Sequence, residues 1–294
     1  MNLDDIIERI NIPGRSRTVL VGVPLALLAL SLVIIALNGV ALGTDLEGGT
    51  LVKVRNIDID SDALQSDLRG IFGSTEIKVR SAPGITSGLT YIEAPVDISS
   101  QQLESYFLER YPDAELSFSV FNPAVSRQFQ SSAVKAIISA FVGMSIIVFL
   151  VFRTPIPSAA VVLSAASDIG ITVALMSIFG VKLTLGTIAA LLMIIGYSVD
   201  SDILLTTRLI KRKGELSEKV KSAMKTGLTM TLTTLSAMAV LYVVSQHETL
   251  DSIAIVLVFA LVVDLMNTWM LNTGILMWFI GRQAPTSSKR RRKA

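Results

Sequence analysis

The chain has 294 residues, 51% of them hydrophobic and 17% charged, with a formal net charge of +2. Soluble domains carry roughly 25% charged residues, so this balance points to a membrane protein. The absence of cysteine and the single histidine, His247, exclude disulfide frameworks, thiol nucleophiles and Cys- or His-cluster metal sites. No cofactor is expected, and His247 reads as a polar loop residue.

Taken in chain order, six apolar runs are long enough to cross a bilayer: 18–37, 132–152, 158–178, 184–206, 227–245 and 252–280. Ala41-Leu42-Gly43 faintly resembles a signal-peptide cleavage site. The first run is too long for a signal peptide's apolar core, however, and reads as a retained helix. The expected fold class is therefore an α-helical polytopic membrane protein with six transmembrane helices. Lys and Arg orient it. One side holds Arg9, Arg15, Arg17, Arg153, Arg208, Lys211, Arg212, Lys213, Lys219, Lys221, Lys225, Arg282 and Lys289 to Lys293, whereas the two short loops opposite hold only Lys182. Both termini are expected to be cytoplasmic, in a multi-pass protein of the cell membrane. The terminal KRRRK run fits a topology anchor at the bilayer surface, with no nucleic-acid partner implied.

The expected organisation is a cytoplasmic segment 1–17, a first span 18–37, an external domain 38–131, a five-span bundle 132–280 with a basic loop 207–226, and a basic tail 281–294. Within the long loop, LVKVRNI (51–57) alternates as a strand and SDALQSDLRGIF (61–72) has helical spacing. TEIKVRS (75–81) and LTYIEAPV (89–96) read as strands around a Pro-Gly turn, SSQQLESYFLERY (99–111) as a helix and AELSFSVF (114–121) as a strand. This β-α-β-β-α-β order predicts an external α+β domain of the ferredoxin-like type, suited to contacting a partner or a passenger chain. Just before it, GTDLEGGT (43–50) carries Gly48-Gly49, which permits a sharp turn, with Asp45 and Glu47 placed to cap it. A linker turn and a functional hinge are both compatible with that composition.

Polar groups inside the spans are Asp168 in the third, Asp200 and Asp202 in the fourth, and Asp264, Asn267 and Asn272 in the sixth. The fifth holds Thr226, Thr229, Thr231, Thr233 and Thr234. Thr and Asn are expected to join helices by hydrogen bonds. Asp168 lies roughly 16 Å deep at 1.5 Å per residue, beyond the reach of so short a side chain to the surface. Asp200 and Asp202 sit about 200° apart around their helix, so they cannot face one partner together. Asp200 shares a face with the small-residue stripe of Gly196, Met193, Ala189 and Gly186, and is expected to pack against a neighbour, either Asp168 or a partner chain. Asp202 shares its face with Ser198 and Thr206, a stripe suited to lining water. A carboxylate in such surroundings is a candidate for reversible protonation, which makes Asp168, Asp200 and Asp202 the proton-relay candidates. An aspartyl protease would also place two aspartates on adjacent spans, but the G-x-G-D and P-A-L signatures are missing, and no enzymatic activity is expected. A structural scaffold with the aspartates as helix glue is a further reading.

Several stretches resemble one known family. GTDLEGGT is similar to the G-x-D-F-x-G-G-T motif of the SecF type of protein-export membrane proteins, with Gly43, Asp45, Gly48, Gly49 and Thr50 as the matching residues. FRTPIPSAAVVLSAASDIGI (152–171) resembles the family's third-span motif around Asp168. GYSVDSDILLTTR (196–208), containing Gly196, Tyr197, Ser198 and Arg208, resembles its fourth-span motif. The resemblance covers essentially the whole chain. It implies an RND-related accessory subunit that acts with SecD beside the Sec translocon channel, using the proton gradient to help secreted chains leave. The departures are local. The bacterial aspartate falls at Ser201, flanked here by Asp200 and Asp202, and the bacterial basic residue falls near Thr226, one place from Lys225. This D-x-D form looks like the archaeal branch. An RND-like exporter of small molecules or lipids is the alternative of a different class.

Overall fold

A computed structural model describes residues 12–14, 16–55, 60–81, 89–245 and 247–283. The expectations for Arg9, Arg15, the Pro-Gly turn at 83–84 and the basic tail fall outside these residues.

Six helices are long and apolar enough to cross a membrane. The first, α1 (Arg17–Asn38), starts on Ser16, whose hydroxyl accepts from the Val19 N–H. A single helical turn, α2 (Thr44–Glu47), leads into a small domain. Its elements are β1 (Gly49–Arg55), α3 (Ser61–Phe72), β2 (Lys78–Ser81), β3 (Leu89–Ala94), α4 (Ser100–Arg110) and β4 (Glu115–Phe121). The remaining spans are α5 (Pro123–Phe152), α6 (Pro155–Phe179), α7 (Leu185–Lys211), α8 (Leu216–Val244) and a last helix of three parts. Those parts are α9 (Glu248–Met266), a π-helical stretch (Asn267–Asn272) and α10 (Thr273–Gln283).

The sheet is antiparallel with order β2-β3-β1-β4. Alternation decides its two faces. Val52, Val54, Val79 and Ile92 point into a core closed by Leu64 and Leu68 of α3 and by Leu103 and Phe107 of α4. The opposite face carries Lys53, Lys78, Arg80, Tyr91 and Glu93, paired across the strands as Lys53 with Tyr91, Arg80 with Tyr91 and Lys78 with Glu93. Two long-range bonds show that this polar face lies over the helical bundle. Glu93 pairs with Lys182 between α6 and α7, and the Tyr91 hydroxyl accepts from the Glu248 N–H at 3.1 Å.

α5 begins nine residues before its apolar run. Asn122 caps it by accepting from the Ala124 N–H at 2.9 Å, and Pro123 occupies the first position, where its missing N–H costs nothing. Hydropathy marks where lipid would begin, and the capping residues mark where the helix does. In the bundle α6, α7 and α9 are the inner helices, about half buried, whereas α1, α5 and α8 turn long apolar rows outward, among them Leu30, Leu32, Ile146, Leu150, Val240 and Val244. The inner trio is where every buried carboxylate of the described spans sits.

Candidate functional site: a polar cluster inside the bundle

Asp168 on α6 is fully buried. Its Oδ2 accepts from the Ser198 hydroxyl of α7 at 2.5 Å and its Oδ1 from the Asn267 amide at 2.7 Å. Asp202, one turn beyond Ser198 on α7, is also fully buried. Its Oδ1 accepts from Thr268 at 2.9 Å and from Asn272 at 2.7 Å. Asp264 on α9 lies between the two. Its Oδ1 accepts from Thr268 at 3.2 Å, and the Ser201 hydroxyl stands 3.4 Å from both of its oxygens. Three carboxylates thus share one buried network, and the groups that bond them are hydroxyls and amides.

The π-helical stretch makes this geometry possible. In a regular α-helix Asn267 and Asn272, five residues apart, would point about 140° away from each other. The wider i→i+5 winding brings them towards one side, and Thr273 stabilises the stretch by donating its hydroxyl to the Thr268 carbonyl at 2.9 Å. Asn267 can then serve Asp168 while Thr268 and Asn272 serve Asp202.

Several oxygens around the network have no hydrogen-bond partner: Asp202 Oδ2, Asn267 Oδ1, Asn272 Oδ1, and the hydroxyls of Ser164, Ser167, Thr172 and Thr206. Buried polar groups are almost always satisfied, so these positions are ones where ordered water is expected to complete the hydrogen bonding. Thr206, one turn beyond Asp202 on α7, is fully buried as well.

The expected residues are distributed unevenly. Asp168, Asp202 and Ser198 enter the cluster, but Ser198 turns its hydroxyl to Asp168, so Asp202 takes its partners from the last helix. Asp200 does not reach Asp168: it is exposed, together with Ala189, Met193 and Gly196 on the same outward face of α7. The helical offset that separates Asp200 from Asp202 puts one on each side of the helix wall. Tyr197 packs beside Ile194 and Leu261, with its hydroxyl buried and unpartnered. Arg208 joins α7 to α8 by bonding the Ser222 carbonyl and hydroxyl and the Thr226 hydroxyl. Lys225 is exposed on α8. Of the threonine run of α8, Thr226 joins helices through Arg208 as expected, whereas Thr229, Thr233 and Thr234 return their hydroxyls to carbonyls of their own helix. Asp264, Asn267, Thr268 and Asn272 are the participants that helical spacing alone does not single out.

The Gly43–Thr50 segment forms a tight junction. Gly48 (φ +92°) and Gly49 (φ +134°) adopt backbone that favours glycine, and a Cβ on Gly49 would stand 2.5 Å from the Ala94 carbonyl oxygen. Thr50 is buried in β1. Gly43 donates its N–H to the Leu183 carbonyl at 2.8 Å, and Asp45 Oδ2 accepts from the Leu185 N–H at 2.6 Å, at the first residue of α7. Burial pushes the Asp45 carboxyl up, and the Leu185 N–H works against that by favouring the charged form.

Comparison with known proteins gives the same picture from outside. Residues 104–282 match the C-terminal region of the SecD/SecF protein export membrane proteins. The protein-export membrane protein SecF of Thermococcus gammatolerans is 41% identical over 277 residues, covering 92% of this chain and 87% of that one. The chain belongs to the SecD/SecF family. The SecF of Methanocaldococcus jannaschii is 42% identical over 269 residues, covering 88% of this SecF-family chain and 94% of the relative. In fold, the crystal structure of SecDF, a translocon-associated membrane protein from Thermus thermophilus, matches with a TM-score of 0.72 at 20% identity. The match takes in 96% of this chain but only 39% of SecDF, so the SecF-family chain spans well under half of that protein.

Proposed function

We propose that this SecF-family chain is an accessory subunit of the Sec translocase, acting with a SecD-type chain to promote export of secreted polypeptides, and that the Asp168–Asp202–Asp264 network carries protons in that work. The observation that carries the proposal is that three carboxylates, Asp168, Asp202 and Asp264, are buried together in the inner trio of helices with hydroxyls and amides as their bonded partners. A network built only to hold helices together needs no ionisable members, because Thr and Asn supply interhelical hydrogen bonds without them. In this reading Asp202 accepts a proton at Oδ2 from one side of the membrane and releases it to the other. Asp168 and Asp264 set the field it feels, and Thr268 and Asn272 hold its Oδ1.

The same reading places both termini in the cytoplasm and the sheet domain outside. Its strand order β2-β3-β1-β4 supports a ferredoxin-like module. The outward face of α7, with Asp200 among small side chains, is the surface offered to SecD, because an exposed carboxylate cannot be left facing lipid. The part of SecDF that this chain does not cover supports a separate partner chain.

The test is export into vesicles containing the chain, a SecD-type partner and the translocon channel, with and without a proton gradient. Asp202→Asn should abolish the gradient's contribution while SecD still co-purifies. A full gradient response in Asp202→Asn would overturn the proton-carrier reading.

A further inference from the structure

The sheet domain is fastened to the residues that start one helix. Ala41 accepts from the Leu183 N–H at 2.8 Å, Gly43 donates to the Leu183 carbonyl, and Asp45 accepts from the Leu185 N–H. Lys182, three residues before α7, pairs with Glu93, the last residue but one of β3, both side chains nearly buried. The helix that begins at these contacts is the one that carries Ser198, Ser201 and Asp202, about 20–26 Å along its axis. α7 is continuous and free of proline over Leu185–Lys211. A displacement of the cluster-bearing half along its axis therefore arrives at Leu185 nearly undiminished.

The two kinds of fastening differ. The Asp45 bond is short, local and backed by the glycine-dependent turn that follows it. The Lys182–Glu93 pair stands beside a cleft of about 530 Å³ lined by Asp45, Arg80, Glu93, Lys182 and Glu248. Each partner has an alternative close by. Lys78 lies directly across the strand pair from Glu93 on the same face, and Glu248 at the start of α9 lines the same cleft as Lys182. Breaking a buried pair is costly when an unpaired charge is left behind, but an exchange that gives each charge a new partner avoids that cost. Beside the observed Lys182–Glu93 pair, these placements offer an exchange to Lys78–Glu93 and Lys182–Glu248. A two-state element of this kind is the physical requirement for coupling distant sites.

We propose that α7 is a rod that transmits movement from the buried polar cluster to the sheet domain, with the Asp45–Leu185 bond as its fixed joint and the Lys182–Glu93 pair as its detachable one. Asp45, Glu93 and Lys182 are then positioning residues for export, acting through α7. The inference rests on the proton-carrier reading of the cluster and adds where its output goes.

Because the chain has no cysteine, spin labels can be placed at Gln101→Cys on α4 and Val244→Cys on α8, both exposed. Their separation is measured by pulsed EPR in vesicles with the SecD-type partner, with Asp202 intact and as Asn. The expected result is a distance distribution that differs between the two, and a difference that disappears when Lys182→Gln is added. In export assays Lys182→Gln should lower the gradient-driven component about fivefold, the low end of typical coupling energies. The charge swap Lys182→Glu with Glu93→Lys rebuilds the closed pair but sets like charges against Lys78 and Glu248. It should therefore restore the fold without restoring the distance change or the gradient-driven export, whereas a merely structural pair would be rescued in full. Identical distances with and without Asp202→Asn, or a swap that restores gradient-driven export in full, overturn the transmission proposal. Neither result touches the proton-carrier reading, which fails separately if Asp202→Asn keeps its gradient response.

Discussion

Asn272 and Thr229 are both polar residues in apolar helices, and by composition they are interchangeable helix glue. Their surroundings separate them. Asn272 is fully buried and donates across helices to Asp202 at 2.7 Å, whereas Thr229 is exposed and returns its hydroxyl to Lys225 of its own helix at 2.8 Å. Replacing Asn272 by Leu strips one of two donors from a buried carboxylate, a loss of about 1–3 kcal/mol by the cost of unsatisfied buried groups. Measured interhelical bonds in membranes average about 0.6 kcal/mol, so the expected loss lies towards the lower end, near 1 kcal/mol. Thr229→Val removes only a bond within one turn and should change stability by less than about 0.5 kcal/mol. Reversible unfolding in mixed micelles measures both, and equal effects would mean that Asn272 is only glue. The same contrast explains what helical spacing could resolve about Asp200 and Asp202. Their angular separation is a property of the helix and was legible. Which of the two faces inward depends on the packing of α6 and α9 against α7, which periodicity does not contain.

The last span shows the limit of such reasoning for a whole element. Its apolar run is plain in the sequence, and so are Asp264, Asn267 and Asn272, but a helical wheel drawn at 100° per residue scatters the two asparagines. The π-helical stretch that gathers them leaves no mark in hydropathy, since Asn-Thr-Trp-Met-Leu-Asn is as compatible with an α-helix. What holds the stretch in place is visible only in contact. Trp269 lies against α8 at Gly227, where an added Cβ would stand 2.5 Å from the indole Cζ2. Gly227→Val should therefore push Trp269 out of its seat, with an overpacking cost of about 1–3 kcal/mol. Because Trp269 is flanked by Thr268 and Met270, the displacement should reach Asp202's donors as well. The expected outcome is a lower unfolding midpoint together with a reduced gradient response, while Gly227→Val with a normal response would separate the π stretch from the cluster's function. The sheet elements were easier to read. Their β-α-β-β-α-β pattern follows from alternation over short segments, and the expected boundaries that fall on described residues lie within three residues of the observed ones, the end of the first strand at 57 lying outside them.

At the scale of the molecule, the junction between sheet domain and bundle was the least legible part, because it is made by residues far apart in the chain. Asp45 meets Leu185 across 140 positions and Glu93 meets Lys182 across 89. The motif of residues 43–50 could be recognised as a turn, but nothing within it names the helix it caps. One consequence is a pH dependence with two opposite signs. Burial, with the Arg80 and Lys78 charges beside it, pushes Lys182 down to about 8 from the ordinary 10.5, while Glu248 and Glu47 act in the other direction and Glu93 is its paired carboxylate. Below about 8 both folded and unfolded chains hold the proton, and the folded chain bears the full cost of a buried charge. Between about 8 and 10.5 the folded chain sheds the proton while the unfolded chain keeps it, so this group raises stability as pH increases. The ion pair that fastens Glu93, however, is lost over the same window. Wild type should thus gain thermal stability relative to Lys182→Gln as the pH on the sheet-domain side rises above about 8, and should lose its gradient-driven export advantage over that variant. Thermal unfolding and vesicle export measured across that window at a constant gradient would show the two trends crossing. Parallel trends, both rising or both falling, would mean that the Lys182 charge serves only packing and that the sheet domain is held by Asp45 alone.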